Sequence, residues 1–269
     1  MTCVKNPIYF STPFFLALSA LTMAGCGRDP NLRGTRFDRH DAGIVAGRDV
    51  KPNESVGNSV VALVARLSHG ESLCTGSIIA KDTVLTAAHC VDEQAKQLVI
   101  VFSRDVRKAK AENIRRATSF EQNPRWQSPR SEFGRGDLAV VHFEGGLPSG
   151  YEPIKVAPAS WTPTRGDETM LVGYGVTDGA REEGSGKMRE TWTTILGSAS
   201  QTEIVTDGQK TSVCFGDSGG PALVRTGKTL AQWGIASAVM NKGCDKASIH
   251  TNIAPYASWI KATAAKLRR

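Results

Sequence analysis

From Ile44 onward the chain is built of short apolar or alternating runs: VVALVARL (60–67), GSIIA (76–80), LVIVF (98–102), LAVVHF (138–143), TMLVGYG (169–175), PALVR (221–225) and QWGIASAV (232–239). Gly, Pro, Asn and Asp cluster between them, so the pattern predicts an all-β fold of many short strands. The last segment, PYASWIKATAAKLRR, departs from this texture. Its apolar residues recur with helical period, placing Tyr256, Ile260 and Ala264 on one face, and Lys266, Arg268 and Arg269 stand near its end, where positive charge suits the helix dipole. With 269 residues, 40% of them apolar, the chain can build one or two cored domains, and it carries no internal repeat that would suggest a solenoid or propeller.

The N-terminus is set apart from this fold. Residues 8–25 (IYFSTPFFLALSALTMAG) form an uncharged apolar run behind Lys5 and end in small residues before Cys26, which reads as an export signal over 1–25. LTMAGC is similar to the bacterial lipoprotein signal, in which the cysteine becomes the lipidated first residue; an ordinary signal peptide or an uncleaved anchor is the alternative. Residues 26–43 are rich in charge and turn formers and poor in large apolar side chains, as a tether or propeptide would be. The expectation is therefore an exported protein of the cell envelope, lipid-anchored in the periplasm or on the outer surface, or secreted after cleavage. No other segment reaches the ~20 apolar residues of a membrane span.

Six cysteines are present. Cys3 leaves with the signal and Cys26 is assigned to lipid, which leaves Cys74, Cys90, Cys214 and Cys244, an even set that fits two disulfides in an oxidising compartment. Three pairings are open to four cysteines. No closely spaced Cys or His pair of the CxxC kind suggests a metal, and none is expected.

Three motifs carry chemistry. CFGDSGGP (214–221) holds Ser218 in a glycine-rich turn, where it is either a nucleophile or an ordinary turn hydroxyl. LTAAHC holds His89, which follows an apolar strand and precedes a cysteine. Four of the five histidines have blander settings: His40 lies in the tether, His69 in a Ser-His-Gly turn, and His142 and His250 in or near strands. GDLAVVHF holds Asp137 at the mouth of a buried strand, where a charge is costly unless hydrogen bonded. Its partner is either a turn cap or a histidine Nδ1–H.

The order His89, Asp137, Ser218, on LTAAHC, GDLAVV and CFGDSGGP, together with IVAG at Ile44, resembles the trypsin/chymotrypsin family of serine endopeptidases over residues 44–269. The resemblance implies two Greek-key six-stranded β-barrels (chymotrypsin-like), about 44–155 and 156–254, with a C-terminal helix at about 254–267. It implies a Ser-His-Asp triad of Ser218, His89 and Asp137, with Ser237 bonded to the aspartate and an oxyanion hole from the N–H groups of Gly216 and Ser218. It implies the disulfides Cys74–Cys90 and Cys214–Cys244. It also implies activation by a cut before Ile44, whose new ammonium pairs with Asp217; Ala42-Gly43 stands where trypsinogen-like proenzymes have a basic residue, so a trypsin-like self-cut is not expected. If Cys26 is lipidated, the same cut sheds the protease.

The specificity pocket follows by the same comparison. Ser212 stands where trypsin-like members have an aspartate, which disfavours Lys or Arg at P1, the residue on the acyl side of the scissile bond. Val239 and Ser248 stand near wall glycines, so small or medium aliphatic P1 residues are expected, with a chymotrypsin-like preference for large apolar ones as the alternative. The loop from Ser237 to Cys244 is one residue longer than in common members, which leaves the register at Val239 open.

The chain is basic, at +7. The cluster RDVRKAKAENIRRA (104–117) and the C-terminal KLRR read as solvated loop charge, with an attraction to anionic surfaces or substrates as the alternative; by the resemblance the first occupies the family's calcium-loop segment, so no calcium is expected. No cofactor and no nucleic-acid partner are expected, only protein or peptide substrates and membrane attachment through Cys26, with the protein a monomer. An inactive protease-fold binding protein and a lipoprotein adhesin are the competing classes. Neither gives a reason for His89, Asp137 and GDSGG to coexist.

Overall fold

The computed structural model describes residues 44–68, 70–91, 95–126, 136–158 and 160–269. The signal, Cys26 and the tether lie outside the described residues. After a short strand β1 (Arg48–Asp49), six strands follow: β2 (Val60–Leu67), β3 (Gly70–Ala80), β4 (Thr83–Thr86), β5 (Gln97–Val101), β6 (Ile114–Gln122) and β7 (Ala139–Phe143). They close an antiparallel barrel in the order β2-β3-β4-β7-β6-β5. Six more, β8 (Glu168–Gly173), β9 (Arg189–Ser198), β10 (Glu203–Asp207), β11 (Pro221–Thr226), β12 (Thr229–Val239) and β13 (Ala247–Asn252), run in the order β9-β10-β13-β12-β11-β8. Pairing of β8 with β9 closes this second ring. The helix α1 (Ala257–Lys266) ends the fold, entered through a 3₁₀ turn at Ala254–Tyr256.

The apolar run of β2 is explained by its position. Val61, Leu63 and Ala65 point into the first barrel with Ile78, Ile100 and Phe102, while Val60 and Ala62 pack across the seam on Met170, Val172 and Tyr174 of the second barrel. A strand buried on both faces loses the alternation of a half-exposed one. Each such Val, Leu, Ile, Phe or Met contributes roughly 1.5–3 kcal/mol by leaving water, and each Ala less, so the seam joins the barrels into one body. The helix docks where the strand ends of both barrels meet: Tyr256, Ala264, Ile260 and Leu267 pack with Leu85, Leu138 and Val140 of the first and Ile235 of the second. Lys266 pairs with Glu121 at 2.6 Å and Arg268 with Asp82 at 2.8 Å.

Two departures from the sequence reading are physical in origin. The first described residues, 44–49, belong with the second barrel, not the first. Ile44 is fully buried among Leu171, Ile195, Ile204 and Trp233, Val45 bridges to Ser212, and β1 pairs with β9, where Arg48 meets Glu190 and Asp49 meets Arg189. Part of the basic cluster is also a strand: Ile114–Ala117 begin β6, with Arg116 exposed and Arg115 half-buried on the opposite face. Arg115 donates from Nε and Nη1 to backbone carbonyls of Gly145, Gly146 and Glu112, so it anchors a loop.

Candidate active site

His89 lies on a 3₁₀ turn (Ala88–Cys90) that leaves β4. Gln122 of β6 ties this turn down, its Nε2 donating to the carbonyls of Ala88 and Val91 at 2.9 and 2.8 Å. The Cys74–Cys90 disulfide fastens it to β3. Asp137 precedes β7 and is 1% exposed. Its carboxylate is engaged on every side: Oδ1 accepts from the His89 backbone N–H at 3.1 Å, and Oδ2 lies 2.7 Å from His89 Nδ1 and accepts from Ser237 Oγ at 2.6 Å.

Ser237 reaches this position because β12 is irregular there. Opposite β13, Ala236 pairs with His250 and Ala238 with Ile249, so Ser237 is the extra residue of a bulge, the usual device for re-aiming a side chain beside a site. The His89 ring is a third exposed (32%), with Trp126 beside it at 6.3 Å between ring centroids. Burial disfavours the charged imidazolium, but the hydrogen bond and negative charge of Asp137 outweigh it, and the His89 pKa rises from its ordinary 6.5.

Ser218 sits in the turn between the Cys214–Cys244 disulfide and β11. Asp217 N–H donates to the Cys214 carbonyl at 3.0 Å and Gly220 N–H to the Asp217 carbonyl at 2.9 Å, giving two successive tight turns. Glycine is required here. Gly216 has φ +97°, and at Gly219, with φ +82°, a Cβ would fall 2.0 Å from Thr86 Oγ1 and 2.3 Å from the Thr75 carbonyl. Ser218 and His89 line the same cleft, of about 290 Å³, together with Val213, Phe215, Ala236 and Val239. Ser218 Oγ makes no hydrogen bond among the described residues, a looseness common where substrate completes the alignment.

The pocket residues divide. Val239 lines the cleft; Ser212 and Ser248 are fully buried behind it and hydrogen bond to each other at 2.8 Å. Asp217 is fully buried, its two oxygens accepting from the N–H groups of Gly175 at 2.7 Å and Cys214 at 2.8 Å. Burial pushes its carboxyl up to about 7, against the pull of those two hydrogen bonds and of Arg189. Cys74, His89 and Cys90 are the one group of possible metal ligands among the described residues, but the disulfide occupies both sulfurs.

Three contributors escaped the sequence: Gln122, Trp126 and Thr75. All lie outside the motifs: Gln122 of β6 holds the turn that carries His89, Trp126 follows β6 and stands beside the His89 ring, and Thr75 of β3 donates its N–H to the Ser218 carbonyl.

Two closed antiparallel barrels, a helix packed on both, and a cleft lined by a histidine and a serine with a buried aspartate bonded to the histidine define the chymotrypsin-like class of serine peptidases. The chain belongs to the trypsin family, whose sequence pattern matches residues 44–260. It is 28% identical to granzyme M of Homo sapiens over 236 residues, covering 81% of this chain and 88% of that one. Identity to chymotrypsin-like elastase family member 1 is 26% over 212 residues for the Bos taurus protein, covering 70% of this chain and 77% of the relative. For the Felis catus protein it is 25% over 269 residues, covering 91% and 96%. The solved structure of HL collagenase superposes with a TM-score of 0.70 at 20% identity, covering 82% of this chain and 99% of the other, and supports the fold.

Proposed function

We propose that this trypsin-family peptidase is a serine endopeptidase in which Ser218 is the nucleophile, His89 the general base and acid, and Asp137 the residue that orients it. The observation that carries this reading is the Asp137 carboxylate bound at once by the His89 ring, the His89 backbone and Ser237, with His89 and Ser218 facing one cleft. Asp137 holds the proton on Nδ1, so Nε2 is free to take the Ser218 proton as Oγ attacks the substrate carbonyl. The oxyanion is received by the N–H groups of Gly216 and Ser218. The imidazolium gives its proton to the departing amine and leaves an acyl-enzyme. Water, deprotonated by His89, then hydrolyses the ester and restores Ser218.

Specificity for small or medium aliphatic P1 residues belongs to the same proposal. Val239 occupies the wall of the cleft, and the buried Ser212–Ser248 pair offers no negative charge to a basic side chain. We further propose that the chain is a proenzyme cut before Ile44, with the freed ammonium neutralising Asp217. Full burial of Ile44, the Val45–Ser212 bridge and the lack of any side-chain donor to Asp217 among the described residues support this. Export, a lipid on Cys26 and release by the same cut complete the proposal on sequence grounds.

Fluorophosphonate labelling tests the nucleophile and the proenzyme step. Protein beginning at Ile44 and protein beginning at Cys26 are compared, with Ser218→Ala as blank. Fast labelling of the Ile44 form alone is expected. Equal labelling of both removes the proenzyme step, and no labelling of either folded protein leaves an inactive scaffold.

A further inference from the structure

Thr75 of β3 is fully buried beside Cys74, and each of its polar atoms is committed. Its N–H donates to the Ser218 carbonyl at 2.8 Å, and its own carbonyl accepts from Thr86 Oγ1 at 2.8 Å. Its hydroxyl accepts from the Tyr174 N–H at 3.1 Å and donates to the Gly216 carbonyl at 2.8 Å. One residue of the first barrel therefore grips both carbonyls that flank Asp217 in the second. On the opposite side, the Phe215 carbonyl accepts from the Val176 N–H at 2.8 Å.

In a trans peptide the C=O and N–H point in opposite directions. Holding the Phe215 carbonyl on Val176 thus turns the Gly216 N–H the other way, and the next peptide plane is fixed by the Gly216 carbonyl on Thr75 together with the Asp217 N–H on the Cys214 carbonyl. Gly216 sits between these two pins at φ +97°. Glycine has almost no conformational preference of its own, so its peptide planes stay in place only while something outside it holds them.

We propose that the Thr75 hydroxyl is a positioning residue for the oxyanion site, keeping the Gly216 N–H aimed into the cleft before substrate arrives. The inference rests on the peptidase reading, because it concerns that same Gly216 donor. It differs from a merely structural hydroxyl in what it affects. Preorganised donors act on the charge that develops in the transition state, so the effect falls on kcat and on transition-state analogues more than on KM.

The test compares Thr75→Val, of equal shape without the hydroxyl, and Thr75→Ser, which retains it, in the full chain processed as the wild type requires and with active sites counted by fluorophosphonate. Thr75→Val is expected to lower kcat about tenfold and weaken a peptidyl trifluoromethyl ketone about as much, with KM within about twofold and Thr75→Ser close to wild type. Unchanged kcat and ketone affinity in Thr75→Val, or an equal loss in Thr75→Ser, overturns the proposal. If Thr75→Val does not fold, Thr75→Ala takes its place. If the wild type does not label, the peptidase reading falls by itself, and the ¹H–¹⁵N resonance of Gly216 in the Ser218→Ala background still decides. That resonance shifts or broadens in Thr75→Ala if the hydroxyl holds the peptide, and an identical resonance rejects the idea.

Discussion

Two buried aspartates, Asp137 bonded to the His89 ring and Asp217 next to Ser218 in the chain, are 1% and 0% exposed, and they are served very differently. Asp137 meets an imidazole, a hydroxyl and a backbone N–H, all supplied by its own chain. Asp217 meets two backbone N–H groups, and burial drives its carboxyl up to about 7. The first half of the site is complete as the chain folds. The second holds a negative charge that two neutral donors and a nearby arginine do not fully compensate, which is where a newly freed ammonium would act.

The contrast can be broken most forcefully at Asp137. Asp137→Asn leaves the shape but offers the imidazole the wrong tautomer, and steady-state kinetics should show kcat lower by ~10⁴ with the protein still folded. A loss below about tenfold would reduce the His89–Asp137 pair to scaffolding.

Asp217 has a signature both in protein beginning at Ile44 and in the uncut chain. In protein cut before Ile44, Asp217→Asn should lower kcat by roughly 10²–10³, the cost of a disordered oxyanion donor. In the uncut chain the effect is on stability. Because burial raises the folded pKa from 3.8 to about 7, the neutral carboxyl contributes stability below 3.8 that is lost as pH climbs through about 7. Thermal melts of the uncut chain should therefore soften over that window, and Asp217→Asn should flatten the slope. A slope that survives the substitution belongs to another group.

Smaller effects sharpen the comparison. Val239→Gly should raise the ratio of kcat/KM for a large over a small apolar P1 residue by about 10–100, within the range that a few methylenes allow; an unchanged ratio would remove Val239 from the wall. Ser237→Ala deletes one hydrogen bond to a charged acceptor and should cost about tenfold in kcat/KM. Least in size is the acid limb of the pH–rate profile. His89 must be neutral to act as base, and its pKa is raised, so the limb should fall above 6.5. A midpoint below 6.5 would mean that desolvation wins over Asp137.

Legibility in the sequence followed burial. β2, β7 and β8 read as strands because they are apolar on both faces, one toward a barrel interior and the other toward a neighbouring layer. β6, β9, β10 and β13 (IRRATSFEQ, RETWTTILGS, EIVTD, ASIHTN) did not, since each mixes polar groups into its pairing and leans on tertiary partners. His250 within β13 is an example: it is fully buried, it bonds Thr206 at 2.9 Å, and burial lowers its pKa to about 3, so it is a neutral core residue. The motif residues His89, Asp137 and Ser218 were visible as locally odd chemistry. Thr75 was not, because a threonine in a strand is ordinary until the other barrel is laid against it.

The two disulfides divide the cleft between them. Cys74–Cys90 fastens the wall that carries His89, and Cys214–Cys244 fastens the wall that carries Ser218. Each cross-link typically stabilises by about 2–4 kcal/mol, and neither forms where thiols are kept reduced. A chain held where thiols stay reduced would thus lack the fastening of both walls of the cleft at once, so the shape of the site is tied to the redox state of its surroundings.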